Sequence, residues 1–204
     1  FNIINFNTDI NTYKDTLVKF DNDTKQSAIT FIDDLKAIGG TNINDSLISA
    51  ISLFGGTDEK PKIIIFLTDG LPTAGETEIK NILNNIKNAN SKKVRIFSFG
   101  VGFDVNTHLL DKLADSNKAV SEYIKTEEDM EIKISSFYSK ISNPVLSDLK
   151  LDFVKIEAKD IYPKNLPDLF YGSQLLIIGK YKNTGHSMIK ITGKSGGNEV
   201  KIIH

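Results

Sequence analysis

Residues 62–73 read KIIIFLTDGLPT, and this stretch decides the fold of the chain. A fully apolar run ends abruptly at Asp69, Gly70 and Pro72, a pattern typical of a buried parallel strand followed by a turn. Ligands of open α/β sheets bind beyond the carboxyl ends of the strands, so Asp69 is a candidate site residue. The same residue types also fit an aspartate that only caps the next turn or helix. Spacing alone leaves both interpretations open.

Strand-like and helix-like segments alternate over the first two-thirds of the chain. Residues 24–38 and 79–86 carry apolar side chains at helical spacing, whereas residues 94–101 form a second apolar run. Residues 13–20 suit an edge strand. Alternation of this kind predicts an α/β fold, in which a doubly wound, mainly parallel sheet is covered by helices on both faces.

The pattern changes at Pro144. From there onward, short runs of alternating apolar residues are separated by polar or glycine-rich turns, and helical periodicity is absent. Such runs are typical of antiparallel strands. We therefore divide the chain into an α/β domain at residues 1–143 and a small antiparallel β module at residues 144–204.

Composition excludes several classes of function. The 204 residues include 25 Lys and Arg against 26 Asp and Glu, so no net field draws the chain to nucleic acid or to an anionic membrane. The absence of cysteine excludes disulfides, thiolate metal sites and a cysteine nucleophile. No run approaches the roughly 18 apolar residues of a transmembrane segment. Because Phe1 lies inside an apolar run, we expect the chain to be an excised fragment of a longer protein.

Three segments, in this order, carry a family resemblance: GGTNINDSL at residues 39–47, FLTDGLPTAGE at residues 66–76 and IFSFGVG at residues 96–102. Together they resemble a von Willebrand factor type A domain, and more narrowly the A domain of the inter-alpha-trypsin inhibitor heavy chain (VIT/vWA) group. The resemblance covers about residues 1–180 and implies an A domain at residues 1–143 that is truncated at its N-terminus.

The resemblance implies a metal-ion-dependent adhesion site (MIDAS) at the carboxyl edge of the sheet. Thr41 matches the family's threonine ligand and Asp69 its aspartate ligand, and the ion is usually Mg²⁺ or Mn²⁺, which suits hard oxygen donors. A carboxylate from a partner protein then completes the coordination. Asn42, Asn44 and Asp45 could hold water around the ion, but turn and helix capping explains them better.

The chain departs from the family because no Asp-x-Ser-x-Ser motif occurs in it. In the family this motif ends a central strand that precedes the strand matched by residues 1–7. We therefore expect weak Mg²⁺ binding by this chain and a gap between its first strand and residues 63–67. The gap could close by direct pairing, by exchange between two chains or by a strand from a second polypeptide, and the last two are favoured because a central strand is costly to omit. The module at residues 144–204 also resembles a segment that packs against upstream strands, so we expect an incomplete sandwich there.

Three classes of function remain. The favoured class is a metal-dependent protein-binding module of an adhesion or matrix-associated protein, and the alternative is a structural assembly domain that does not use the ion. An enzyme is disfavoured because we expect Thr41 and Asp69 to lack a nearby histidine or second acid that would complete a catalytic set. The resemblance favours a location at the cell surface or outside the cell.

Overall fold

A computed structural model describes residues 1–55, 61–141, 144–170, 172–182, 185–196 and 198–203 of the chain. The elements follow in chain order. They are β1 (Ile4–Phe6), β2 (Ile10–Thr12), α1 (Asn22–Asp33), α2 (Ile43–Ser52), β3 (Ile63–Thr68), α3 (Ile79–Ala89), β4 (Arg95–Val101), α4 (Thr107–Ser116), β5 (Ser121–Ile124), α5 (Met130–Ile141), β6 (Pro144–Phe153), β7 (Ala158–Tyr162), β8 (Leu169–Phe170), β9 (Ile178–Tyr181), β10 (Ile189–Ser195) and β11 (Asn198–Ile203).

The first unit is built on the parallel sheet β3-β4-β5. Its register runs from Ile63 opposite Arg95 to Thr68 opposite Gly100, so the carboxyl ends of β3 and β4 lie at one edge. Asp69 follows directly after β3 at that edge. The predicted α/β class, with a parallel sheet and a separate antiparallel module, is confirmed.

Strand β4 contributes side chains to the hydrophobic clusters on both faces of this sheet, because successive side chains of a strand point in opposite directions. Ile96 joins a buried cluster with residues of α2, α3 and α4. Phe97 and Phe99 join a second cluster with Phe137 of α5, whose ring centroid lies 5.1 and 4.8 Å from theirs. Burial of each such side chain contributes about 1.5–3 kcal/mol, which fixes helices on both faces and leaves the edges of the sheet for function.

Strand β1 stands apart from the parallel sheet. It pairs antiparallel with β2, from Ile4 opposite Thr12 to Phe6 opposite Ile10. Within the described residues β1 forms no ladder with β3, although the rings of Phe6 and Phe66 stack with centroids 5.6 Å apart. Direct pairing of the two strands, one of the three predicted ways to close the gap, is therefore wrong for this structure.

A cleft of about 650 Å³ opens beside β1 and β3. It takes in side chains from both strands, from the end of α2 and from α5. Its apolar lining residues are Phe1, Ile4, Leu17, Ala50, Leu53, Phe54, Pro61, Ile63, Ile64, Ile65, Tyr138 and Ile141. The position and lining match the expected gap between the first strand and residues 63–67.

Two predicted elements differ from the structure. Helix α1 ends at Asp33 rather than near residue 38, because the N–H groups of Asp34 and Leu35 bond to Ile32 and tighten the last turn. No strand forms at residues 13–20. Instead the rings of Tyr13 and Phe20 pack 6.0 and 5.8 Å from that of Phe1, so these aromatic residues contact each other without forming a strand at residues 13–20.

The second unit contains the antiparallel sheet β11-β10-β6-β8 and the pair β7-β9. Antiparallel pairing in both groups of strands fits the alternating runs that the sequence shows after Pro144. Residues 142 and 143, at the predicted boundary between the two units, lie outside the described residues.

An ion-pair joint links the two units at the sheet edge opposite Asp69. Arg95, the first residue of β4, donates from Nε to Oδ2 of Asp168 over 2.7 Å, and the two side chains are 11% and 2% exposed. Asp148 of β6 lies 3.5 Å from Arg95 and accepts a 2.8 Å hydrogen bond from Lys118. This hydrogen bond holds the pKa of Asp148 below its ordinary value, against the opposing effect of partial burial.

Candidate functional site

Asp69 is presented to solvent at the carboxyl edge of the parallel sheet. The preceding residue, Thr68, is buried at the end of β3 and anchors the turn, whereas Asp69 itself is exposed. An exposed carboxylate directly after a regular strand of the sheet is accessible to a ligand.

Thr41 lies in the loop that leads into α2, one residue before the helix cap Asn42. A Cβ atom built on Gly70 would lie 3.7 Å from Oγ1 of Thr41. The hydroxyl of Thr41 is therefore next to the residue that follows Asp69. The two residues predicted as metal ligands lie in adjacent loops at one edge of the sheet.

The loop after Asp69 also holds the backbone of Thr41. The Thr41 N–H donates to Oγ1 of Thr73 over 2.8 Å. In return the N–H groups of Thr73 and Ala74 donate to the Thr41 carbonyl oxygen over 3.0 and 3.3 Å. Both backbone polar groups of Thr41 are thus satisfied by residues 73 and 74.

The same two loops are in tight contact. A Cβ on Gly40 would lie 3.1 Å from both Cβ of Ala74 and Oγ1 of Thr73. Gly75 adopts a φ of +65°, and a Cβ there would lie 2.4 Å from Oδ1 of Asn42. These positions accept glycine because a larger residue would push the loops apart.

Asn42, Asn44 and Asp45 form a capping cluster. Oδ1 of Asn42 accepts from the Asp45 N–H over 3.2 Å, and the side-chain amides of Asn42 and Asn44 donate to the two Asp45 oxygens over 2.9 and 2.6 Å. Asn85 of α3 donates to Asn44 over 3.0 Å, which ties α3 to the start of α2. The capping interpretation of these residues is the one that the structure supports.

Sequence reasoning missed two threonines that surround the Thr41 loop. Thr73 holds Thr41, as described above, and Oγ1 of Thr8 accepts from the Gly40 N–H over 2.9 Å. Thr73 lies within the segment at residues 66–76 that carries the family resemblance, so its place close to Asp69 could have indicated a role at the site. Thr8 follows β1 and gave no sequence signal of its own.

The donor set fits part of a site for a hard divalent ion. Thr41 offers one hydroxyl oxygen and Asp69 one carboxylate, both of the type that Mg²⁺ and Mn²⁺ prefer. Within the described ranges, no group of three or more His, Cys, Asp or Glu side chains is arranged to hold a metal. The two residues can therefore supply some ligands of such an ion but not a full protein shell.

No helix in the described part of the chain is long and apolar enough to cross a bilayer.

Comparison with known proteins identifies a family profile and related sequences that match this chain. The von Willebrand factor type A domain profile matches residues 1–140. The chain is 31% identical over 199 residues to human inter-alpha-trypsin inhibitor heavy chain H4, covering 94% of this chain and 21% of that protein. It is 29% identical over 188 residues to the Sus scrofa heavy chain H2, covering 89% and 20%. The chain thus spans about a fifth of the length of these curated relatives.

Solved structures agree on the fold. A von Willebrand factor type A protein from Catenulispora acidiphila superposes with a TM-score of 0.70 at 18% identity, covering 99% of this chain and 56% of that chain. The ArnB paralog VWA2 from Sulfolobus acidocaldarius gives a TM-score of 0.53 at 19% identity, covering 100% and 53%. The chain belongs to the von Willebrand factor type A domain family, and its curated relatives are inter-alpha-trypsin inhibitor heavy chains.

Proposed function

We propose that this chain is the core of a metal-dependent protein-binding module that recognises a carboxylate of a partner protein. The observation that carries the proposal is the contact between the Thr41 loop and Gly70, which brings a hydroxyl beside the loop of Asp69. Von Willebrand factor type A domains are known for protein binding and adhesion, which supports the same conclusion.

In this proposal Thr41 and Asp69 hold Mg²⁺ or Mn²⁺. The Asp69 carboxylate supplies negative charge and the Thr41 hydroxyl a neutral oxygen, so the ion keeps net positive charge for an acidic partner group. When bound, the ion supplies an open coordination position for that carboxylate. The remaining ligands come from outside the two residues, in keeping with the absence of an Asp-x-Ser-x-Ser motif from the sequence.

Exposed apolar side chains support a protein partner. Leu71 follows Asp69 and Gly70 and is 50% exposed, and Phe103, which follows β4 at the same edge, is 75% exposed. Apolar contacts around a charged centre are typical of protein interfaces.

We further propose that a strand from a second polypeptide, or from a second copy of this chain, enters the cleft beside β1 and β3. Strand β3 has one ladder partner, β4, in the described part of the chain, so its other edge can accept backbone hydrogen bonds. The apolar lining from Ile63, Ile64 and Ile65 favours an apolar strand. Native mass spectrometry tests this: a companion peptide or a dimer is expected, and a lone monomer would contradict it.

The alternative function is a structural assembly domain that uses the cleft and not the ion. The size and apolar lining of the cleft are the observations that favour it. It predicts association that is indifferent to a chelator, whereas the preferred function predicts partner binding that a chelator abolishes.

The metal proposal is tested by titrating the chain with Mn²⁺ and following the electron paramagnetic resonance signal of the free ion. Asp69→Ala should weaken Mn²⁺ binding by about tenfold or more. Removal of a residue that only holds a ligand commonly costs about tenfold or more in metal affinity, and loss of a proposed ligand should cost at least as much. Asp15→Ala is the matched control, since Asp15 is also exposed but precedes α1. Equal affinity of the parent and Asp69→Ala would reject the proposal.

The location and the division of the chain are proposals too. The relatives favour the cell surface or the extracellular space. We propose that residues 1–143 form the A domain and that residues 144–204 form a β module that positions it, since the ion-pair joint holds the module at the far edge of the sheet.

A further inference from the structure

We propose that Thr73 is a positioning residue that sets the metal affinity of Thr41, an inference that rests on the proposed function. Thr73 acts through the backbone of Thr41 and not on the ion. The residue lies four positions after Asp69, so one short loop both carries one ligand and holds the other.

The hydrogen bonds point in opposite directions along Thr41. Thr73 accepts the Thr41 N–H through Oγ1 over 2.8 Å and donates its own N–H to the Thr41 carbonyl over 3.0 Å. A single residue therefore holds both backbone polar groups of Thr41, its N–H and its C=O. With its backbone held at both groups, Thr41 keeps its Cα–Cβ bond at a fixed place beside Gly70, so the hydroxyl starts from a defined position.

Close packing keeps this pair of loops in register. The Cβ position of Gly40 is 3.1 Å from Oγ1 of Thr73, and that of Gly75 is 2.4 Å from Oδ1 of Asn42. The Thr41 and Asp69 loops therefore leave no room for a side chain at Gly40 or Gly75, and hydrogen bonds hold the two loops together. Pro72 restricts the backbone just before Thr73, which further limits how the Asp69 loop can move.

The hydroxyl oxygen of Thr73 is the part of the side chain that the inference requires. Thr73→Val keeps the branched shape but removes the acceptor of the Thr41 N–H, and Thr73→Ser keeps the acceptor but removes a methyl group. A role in packing alone would make serine the more harmful change. A role through the hydrogen bond makes valine the more harmful change.

Thr8, in the turn after β1, provides a matched control that contacts the Thr41 loop from another segment. Its Oγ1 accepts from the Gly40 N–H over 2.9 Å, and, like Thr73, it is exposed. Thr8→Val therefore removes an equivalent hydroxyl that holds the residue before Thr41. If general loosening of the loop sets the affinity, this variant should match Thr73→Val.

The first measurement is Mn²⁺ affinity of the whole chain, by electron paramagnetic resonance of the free ion. We expect about tenfold weaker binding for Thr73→Val, the size typical of a lost outer-shell partner. The Mn²⁺ affinities of Thr73→Ser and Thr8→Val should stay within about twofold of the parent's. A change this small is below the loss expected when a residue that holds a metal ligand is removed. Equal losses in Thr73→Val and Thr8→Val, or no rescue by serine, would overturn the inference.

The second measurement is hydrogen exchange of the Thr41 amide in the metal-free chain. Thr73→Val should speed this exchange by about tenfold, because its hydrogen-bond acceptor is lost. Unchanged exchange would reject the role of Thr73 whatever the metal result. Faster exchange with no Mn²⁺ binding by the parent would reject the proposed metal function and the link to affinity, while it kept the structural role of Thr73.

Discussion

Arg95 and Asp168 form an ion pair with 2.7 Å between Nε and Oδ2, and the two side chains are 11% and 2% exposed. The pair joins the first residue of the central strand β4 to the segment just before β8. Phe170 extends the contact, since its ring centroid lies 5.8 Å from that of Phe97 in the sheet. The β module is therefore fixed to the A domain by both a buried charge pair and aromatic packing.

Asp168→Asn should lower the free energy of unfolding by about 3 kcal/mol, because it removes the buried carboxylate of the pair and leaves Arg95 only the more distant Asp148 at 3.5 Å. Urea denaturation measures this change. Asp160→Asn is the matched control, since the pair of Asp160 and Lys180 is 60% and 81% exposed on its side chains. The control should change stability by no more than about 0.5 kcal/mol. Similar losses in both variants would contradict a structural role for the joint.

Lys118→Met should weaken the dependence of stability on acid pH. The Lys118 hydrogen bond lowers the pKa of Asp148 in the folded state, so its contribution is present above the unfolded pKa of about 3.9 and is lost as pH falls through the folded pKa. As pH falls below about 5, the free energy of unfolding should therefore decrease less steeply in the variant than in the parent. The measurement is urea denaturation across this pH range.

Lys87→Met is the control for that experiment, because Lys87 is exposed in the last turn of α3. In this variant the free energy of unfolding should fall with acid pH as steeply as it does in the parent. A slope that is the same in all three proteins would mean that the Lys118–Asp148 pair contributes nothing to acid unfolding.

Gly75→Ala should lower the free energy of unfolding by about 3 kcal/mol, the sum of backbone strain and a disturbed helix cap. The new Cβ would meet the Asn42 side chain at 2.4 Å. Gly102→Ala separates the two effects, since Gly102 has a φ of +82° with nothing within 4 Å of its Cβ position. This control should lose only about 1 kcal/mol, from the left-handed backbone alone. Thermal or urea unfolding that gave equal losses would show that the loop contact is unimportant.

Ser98→Ala should raise the free energy of unfolding by about 1 kcal/mol. Oγ of Ser98 is buried in β4 and has no hydrogen-bond partner within the described residues, so the serine hydroxyl loses its hydration without a replacement. Ser46→Ala should instead cost about 1 kcal/mol, because the equally buried Ser46 hydroxyl donates to the Ile43 carbonyl over 2.9 Å. Urea denaturation that showed a loss for Ser98→Ala would contradict this assignment.

The parallel sheet could be predicted because its signals are local. The run at residues 63–67 is apolar throughout and the run at 94–101 is mostly apolar, a composition typical of strands covered by helices on both faces. The family followed from matched segments in fixed order, and the profile match over residues 1–140 confirms it.

The errors arose where tertiary contacts decide the structure. Apolar residues at 13–20 read as a strand, but Tyr13 and Phe20 pack around Phe1 instead. Helical spacing extended past Asp33, yet Leu35 and Ile38 remain 40% and 67% exposed because the helix ends before them. The spacing of apolar residues in a sequence does not show where the rest of the protein offers no surface for a helix to pack against.

The candidate site was predicted only in part, for the same reason. Thr41 and Asp69 came from the family pattern, whereas the ties from Thr73 and Thr8 depend on how loops 32 positions apart in sequence meet. The capping role of Asn42 followed from its position before α2.

The most direct test of the metal site is the location of Mn²⁺ on the ¹⁵N-labelled chain, measured by paramagnetic broadening of amide signals. Substoichiometric Mn²⁺ should first broaden the amides of Thr41, Asp69 and Gly70, and Asp69→Ala should abolish this local effect. Broadening that centres elsewhere, or that persists unchanged in Asp69→Ala, would contradict metal-dependent recognition at this edge of the sheet.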